Sequence, residues 1–171
     1  MNTHSRPTVR ASSAEEAKAL LQRNHVGRIA FSFHDRVDVE RVHYVYDAPW
    51  VFGRTSTDAM LLTLAHNPWC ALETDVVEGP FDWESVVVKG RFSTRRAPGP
   101  EWDYDRALAA LRLLPGGALP DDEPASSGEV VFGVYASDIF GRRSSSRGRD
   151  DGVWVSPARV RAAAALTTSA R

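Results

Sequence analysis

The first regular pattern along the chain is "SAEEAKALLQRN", residues 13–24. Ser13 is followed three residues later by Glu16, the reciprocal pairing of a capping box. Ala17, Leu20 and Leu21 then lay an apolar stripe along the helix that this cap would start. Gly27 follows. In "RIAFSF", Ile29, Phe31 and Phe33 alternate with other residues, the period of a half-buried strand. After a short turn at 34–36 the alternation resumes in "VDVERVHYVYD". Val37, Val39, Arg41, His43 and Val45 fall on one face, and Asp38, Glu40, Val42, Tyr44 and Tyr46 on the other. Asp47-Ala48-Pro49 turns the chain into a third strand, Trp50 to Arg54. Connections this short join antiparallel neighbours, so the pattern predicts a meander.

A helix is predicted over 58–66, with Ser56 or Thr57 as its N-cap and Asn67-Pro68 as its stop. Strands are expected at about 69–76 and 84–92, with Gly79-Pro80 in the loop between them. A second amphipathic helix spans about 103–114 and ends at Pro115-Gly116-Gly117. The polar loop "ALPDDEPASSGE" leads to a last strand, "VVFGVYASDIFG". Five to seven strands with two or three helices predict a mainly β, α+β fold: an antiparallel β-barrel with peripheral helices. The domain is expected over 10–143. From 144 to 171 the chain reads as a basic, Ser/Gly-rich linker, and Ser156-Pro157 can open a short Ala-rich helix, "ARVRAAAAL".

Composition narrows the class. A chain of 171 residues is close to one ordinary domain and buries a core without disulfides or metals. Its net charge of −1 does not steer it strongly to nucleic acid or an anionic membrane. The single cysteine, Cys70, allows no intrachain disulfide and fits a reducing cytosol. "MNTHSRPTVR" has no signal-peptide core. No run approaches the roughly 18 apolar residues of a membrane helix, so a cytoplasmic protein without a membrane partner is expected. Residues 142–171 carry seven Arg against two Asp. Such a tail can touch nucleic acid electrostatically. Its one aromatic is Trp154, Asp150-Asp151 dilute its charge, and a solvated tail accounts for it as well.

The junction "WVFGRTSTDAML" carries the most chemistry. The first amides of a helix are unpaired and attract anions. Arg54 adds a guanidinium fork, and Thr55, Ser56 and Thr57 add hydroxyls. The same residues also read as ordinary capping. Asp58 opposes a phosphate: at roughly 5 Å and an effective dielectric near 20, each like-charge pair costs about 3 kcal/mol. One hydroxyl hydrogen bond returns about 1 kcal/mol. In "FDWESVVVKGRF", Trp83, Ser85 and Val87 share a strand face, suited either to a planar ligand or to plain barrel wall. His43, between strand neighbours Val42 and Tyr44, is a candidate general acid or ligand contact, or a structural histidine. The histidines at 4, 25, 34, 43 and 66 with Cys70 make no zinc spacing. There is no P-loop, nucleophile elbow or Gly-rich dinucleotide loop.

Taken in order, "ALLQRNHVGRIAFSF", "HYVYD", "FGRTS", "LAHNPWCALETD", "DWESVVVKGRF" and "SDIFGRR" resemble the pyridoxamine 5′-phosphate oxidase-related FMN-binding proteins, in particular the nitroimidazole-resistance type. The resemblance covers about Ala14 to Arg143. It implies a split β-barrel, a homodimer with FMN at the subunit interface, and an oxidoreductase acting on a small aromatic or nitroaromatic acceptor. It places Arg54, Thr55 and Ser56 at the flavin phosphate. His43, Tyr44 and Val45 fall where the barrel faces the flavin, and Trp83, Ser85 and Val86 line the same pocket. Where the family usually continues Pro-Gly-Thr-Lys, this chain has Thr57-Asp58-Ala59-Met60, so Met60 stands in the place of a lysine at the phosphate. Arg41 replaces a common proline and can return some positive charge. The alternatives are a degenerate, non-catalytic binding barrel, or a related barrel that holds a deazaflavin or haem.

Overall fold

The computed structural model describes residues 7–56, 58–95, 101–114, 129–145 and 160–161, with the backbone alone at 58, 160 and 161. In chain order the elements are β1 Thr8–Ala11, α1 Ala14–Arg23, β2 Val26–Phe33, β3 Arg36–Asp47, β4 Trp50–Thr55, α2 Asp58–His66, β5 Trp69–Gly79, β6 Asp82–Thr94, α3 Tyr104–Leu111, β7 Val130–Ser145 and β8 Val160–Arg161. The expected capping box is present: Glu16 N–H donates to Ser13 Oγ, and Ser13 N–H to the Glu16 carboxylate.

Every strand pairing is antiparallel. β7, β4, β3, β2, β5 and β6 lie side by side, and β6 pairs back onto β7 to close a ring of six. β6 takes one edge of β7 along almost its whole length. The other edge is shared by β4 at 130–135, β8 at 138–139 and β1 at 142–145. The result is a split β-barrel. The β2–β3–β4 meander has its expected short turns, and His34 adopts φ 53°, the left-handed backbone that a two-residue hairpin turn uses.

The barrel interior holds Ile29, Phe31, Val42, Tyr44, Val51, Leu72, Val88 and Phe132, among others. α1 closes it with Ala17, Leu20 and Leu21, and α2 adds Met60 and Leu64. Phe33 continues the inward face of β2 past the rim and is exposed, edge-on to His34 and His66. A second core lies outside the barrel. There α3 covers β4 and its neighbours, packing Ala107, Ala110 and Leu111 against Trp50, Phe52 and Val131. β4 is therefore buried on both faces, which is why "WVF" does not alternate. Trp102 lies over Gly133, where a Cβ would stand 3.2 Å from the indole, and donates to Ser93 Oγ at 2.9 Å. Arg106 ties α3 to the end of β3 through Asp47 at 2.6 and 2.7 Å.

Several expectations are corrected. β6 begins at Asp82, two residues early, and α3 stops at Leu111 rather than Leu114. β1 has no periodic signal of its own; it forms because β7 offers an open edge. Val160 and Arg161, inside the run that predicts a helix, pair with Ile139 and Asp138 on that same edge. The rest of that run lies outside the described residues. No helix among the described residues is long and apolar enough to cross a membrane.

At the α1 end of the barrel, charges from four elements interlock. Arg10 grips Glu16 at 2.9 and 2.6 Å, Arg143 reaches Glu84 at 3.2 Å and Glu16 at 4.0 Å, and Arg23 meets Glu84. The Arg10 guanidinium, aided by the Ser13 N–H and Arg143, holds the Glu16 carboxyl at about 2, against an ordinary value of 4.5. A carboxyl held low in the folded state stabilises it above its unfolded value and loses that contribution as pH falls. Stability should therefore drop between about 4.5 and about 2. The effect is modest, because both side chains are 41% exposed and solvent screens the pair. Glu16→Gln should flatten this acid limb in thermal melts across pH. An unchanged limb would remove Glu16 as its source.

Candidate functional site

β4 delivers the junction residues. Its alternation turns Trp50, Phe52 and Arg54 outward and Val51, Gly53 and Thr55 toward the barrel interior. Gly53 permits close packing just before Arg54: a Cβ there would stand 2.4 Å from the Phe132 ring and 2.9 Å from the His43 carbonyl oxygen. Arg54 lies opposite Val131 on β7. The β3–β4 register pairs Tyr44 with Gly53 and Val45 with Phe52, so one further step brings His43 beside Arg54. His43 in turn lies opposite Val26. The structure thus gathers Arg54, His43 and Val45 on one outer face, with exposed Ser56 leading to α2. Thr57 lies outside the described residues.

Arg54 is the most enclosed of these side chains that still reaches the surface. It is 11% exposed and pairs with Glu129 at 3.0 Å. Glu129 immediately precedes β7, where Thr55 pairs with Val130 and fixes the neighbouring backbone. Sequence reasoning missed this acid. Its only local signal is its position just before a strand, and its partner comes from a strand 75 residues away in sequence. Arg41, the other candidate cation, shares the His43 face two residues along β3, about 7 Å of strand away. It sits opposite Arg28, which bonds Glu73 at 3.0 Å and Asp75 at 2.7 Å.

Four of the sequence-predicted residues, Tyr44, Thr55, Met60 and Val86, point into the barrel. Tyr44 and Met60 are 0% exposed and Val86 is 1%, so their side chains contribute packing rather than surface. Thr55 is also buried. The Tyr44 hydroxyl makes no hydrogen bond of normal geometry. Burial pushes its phenol up to about 12, against a small opposing effect from Thr74. The Thr74 hydroxyl is itself engaged, donating to the Val26 carbonyl at 2.9 Å and accepting from Asn24 at 3.2 Å. Tyr44 therefore keeps its proton and is no acid at neutral pH.

Trp83 and Ser85 sit elsewhere, on the outer face of β6. They lie opposite Ser144 and Arg142 on β7, and opposite Val77 and Asp75 on β5. Trp83 lines a cavity of about 340 Å³ with Arg23, Glu78, Asp82, Glu84 and Arg143, and no junction residue enters it. Along β7 the Arg54 position and the Ser85–Trp83 positions are separated by eleven to thirteen residues, about 36–44 Å of extended strand. Around the ring the other way they are four strands apart, about 19 Å over a curved wall. A single chain does not bring the two groups into one pocket.

Farther along the wall, toward the β2–β3 hairpin, the surface is open and apolar. Val37 is 70% exposed, Val39 59% and Trp69 56%, beside Ala30 and Ala71. Cations edge it: Arg91 lies over the Trp69 ring at 5.9 Å and Lys89 over Phe140 at 5.4 Å. Among the described residues, no group of His, Cys, Asp or Glu is placed to hold a metal ion.

Residues 13–143 match the family model of pyridoxamine 5′-phosphate oxidase. No curated protein matches the chain. Among solved structures it is similar to an FAD-binding protein from Mesorhizobium loti, at 24% identity and a TM-score of 0.65 over 80% of this chain and 99% of that one. It is also similar to a candidate 5-nitroimidazole antibiotic resistance protein from Bacteroides thetaiotaomicron, at 11% identity and a TM-score of 0.61 over 81% and 89%. A heme binding protein from Mycobacterium smegmatis aligns at 19% identity and a TM-score of 0.63 over 91% of this chain and 60% of that one. At these identities the likeness establishes the fold.

Proposed function

Because the chain belongs to the pyridoxamine 5′-phosphate oxidase family, we propose that it is a flavin-binding split-barrel protein, working as a homodimer and passing electrons to a small acceptor. The observation that carries this reading is the separation of two ligand-suited groups, Arg54 with His43 on one face and Trp83 with Ser85 on another. They form one site only if a second copy brings its own Trp83 to the first copy's Arg54. The exposed Val37, Val39 and Trp69 wall supplies apolar surface for that contact. FMN is the flavin that the sequence resemblance implies. The M. loti and M. smegmatis structures, one FAD-binding and one heme-binding, support a planar redox group on this fold. The Bacteroides likeness supports a nitroaromatic acceptor.

A bound flavin supplies the electron chemistry itself. The chain's residues bind and orient it. Arg54 and the Ser56 hydroxyl face the phosphate end. Trp83 offers a stacking surface and Ser85 a hydroxyl to a ring edge. His43 stands beside Arg54 on the same face and is the candidate catalytic residue. The apolar wall excludes water once covered. A cytoplasmic setting fits Cys70, whose thiol is buried and pushed up to about 12 by that burial.

The shared site has a direct test. Arg54→Ala and Trp83→Ala should each lose flavin binding alone, whereas a mixed dimer of the two variants carries one intact site. Equilibrating the variants together should restore flavin absorbance. No restoration, with mixed dimers confirmed by native mass spectrometry, would refute the composite site. One observation favours a second reading, a barrel that binds without redox chemistry: Arg54 already holds an anion, Glu129. Protein that stays colourless through a flavin titration supports that reading.

A further inference from the structure

We infer that the open edge of β3, from Val37 to Arg41, is a docking site for an extended peptide strand that alternates apolar and basic residues. The inference stands apart from the flavin reading, since it concerns a strand edge and no cofactor enters it.

β3 is 12 residues long, yet β4 pairs only with its end, Tyr44 to Asp47. Residues 36–43 pair with β2 on one side. Among the described residues, no strand lies on their other side. The register fixes which backbone groups are open there. Tyr44 N–H donates to the His25 carbonyl at 2.9 Å, so these two residues form a hydrogen-bonded pair. Such pairs alternate along an antiparallel ladder, which commits the backbone of Asp38 and Glu40 to β2. Val37, Val39 and Arg41 therefore turn their N–H and C=O groups to the empty side. A row of this kind is a template for a further strand.

The side chains decide which strand fits. Val37 and Val39 are 70% and 59% exposed on the outer face. Asp38 and Glu40 alternate to the other face, and neither has an ion pair among the described residues. A strand laid along this edge is stabilised by apolar residues opposite the valines and basic residues opposite the acids. A second copy of β3 fits less well. Its open residues must meet the same open residues, 37, 39 and 41. A twofold pairing centred on Asp38, Val39 or Glu40 then sets acid directly against acid, and like charges in that position destabilise.

The experiment titrates the full chain with two labelled, end-blocked peptides, Val-Lys-Val-Lys-Val and Val-Glu-Val-Glu-Val, and follows fluorescence anisotropy. The lysine peptide should bind about tenfold tighter than the glutamate peptide. In its complex the amides of Val37, Val39 and Arg41 should exchange more slowly, while those of Asp38 and Glu40, already bonded to β2, keep their rates. Asp38→Lys with Glu40→Lys should invert the order of the two peptides. Val39→Pro removes an outward N–H and no bond to β2, and should weaken the lysine peptide about fivefold. Equal affinity for the two peptides in the wild type, or binding of neither, overturns the inference. Lysine-peptide binding that leaves the Val37, Val39 and Arg41 amides unprotected overturns it too. If Val39→Pro instead breaks a wild-type dimer in sedimentation, the edge belongs to a second copy and the inference fails. The wild-type order and the exchange pattern need no variant, so a poorly folding substitution does not blunt the test.

Discussion

Gly90→Ala is expected to destabilise the barrel by about 4 kcal/mol or more, enough to prevent soluble expression of a domain of ordinary stability. A Cβ at Gly90 would stand 2.1 Å from the Tyr135 carbonyl oxygen and 2.9 Å from its carbonyl carbon. Both atoms belong to backbone, so no side-chain rotation relieves the clash. The position lies in the β6–β7 pairing that closes the ring, at the register shift between Lys89 and Gly90. Moving β7 away to make room would open that pairing and disturb the inner residues on either side, Val88 and Phe92. Gly79→Ala is the control. Its Cβ would find only the Asp82 carboxylate, at 3.9 Å, and its melting temperature should stay close to that of the wild type. Equal melting temperatures for the two variants would show that β6 and β7 have slack where the structure has none.

Arg54→Ala has the largest expected effect on function, a loss of flavin affinity of about a hundredfold or more. The substitution removes the one guanidinium at the junction and leaves the Glu129 carboxylate without it. Glu129 is 37% exposed, so water can take over its solvation, and the fold should lose only about 1–2 kcal/mol. Binding and stability therefore separate in this variant. Adding Glu129→Gln to Arg54→Ala should restore part of the affinity, because the two charges act on the same phosphate. Titration calorimetry on the two single variants and the double variant measures that coupling. Wild-type affinity in Arg54→Ala would place the phosphate elsewhere on the barrel.

Local signals carried much of the fold. The Ser13–Glu16 capping box and the short turns of the meander involve residues within a few positions of one another, and each forms as the sequence reads. Non-local pairing decided the rest. β1 and β8 are strands only because β7 has an edge to fill. The unbroken apolar run of β4 shows burial on both faces, but not that α3 supplies the second cover.

The same division runs through the candidate site. Arg54, His43 and Val45 meet through one hairpin register, which alternation alone nearly specifies. The Glu129 contact needs the β4–β7 pairing across a long loop, and no local pattern points to it. The wide gap between Arg54 and Trp83 is likewise a property of strand order around the ring. The family resemblance places the two in one pocket.

The account's central claim, a flavin held between two copies of this barrel, is tested most directly by the visible spectrum of the purified full-length protein, as isolated and after flavin titration. The account predicts the two-banded yellow spectrum of a bound flavin, saturating at two flavins per dimer. A protein that remains colourless after titration, or one that shows a single intense haem band, would contradict it.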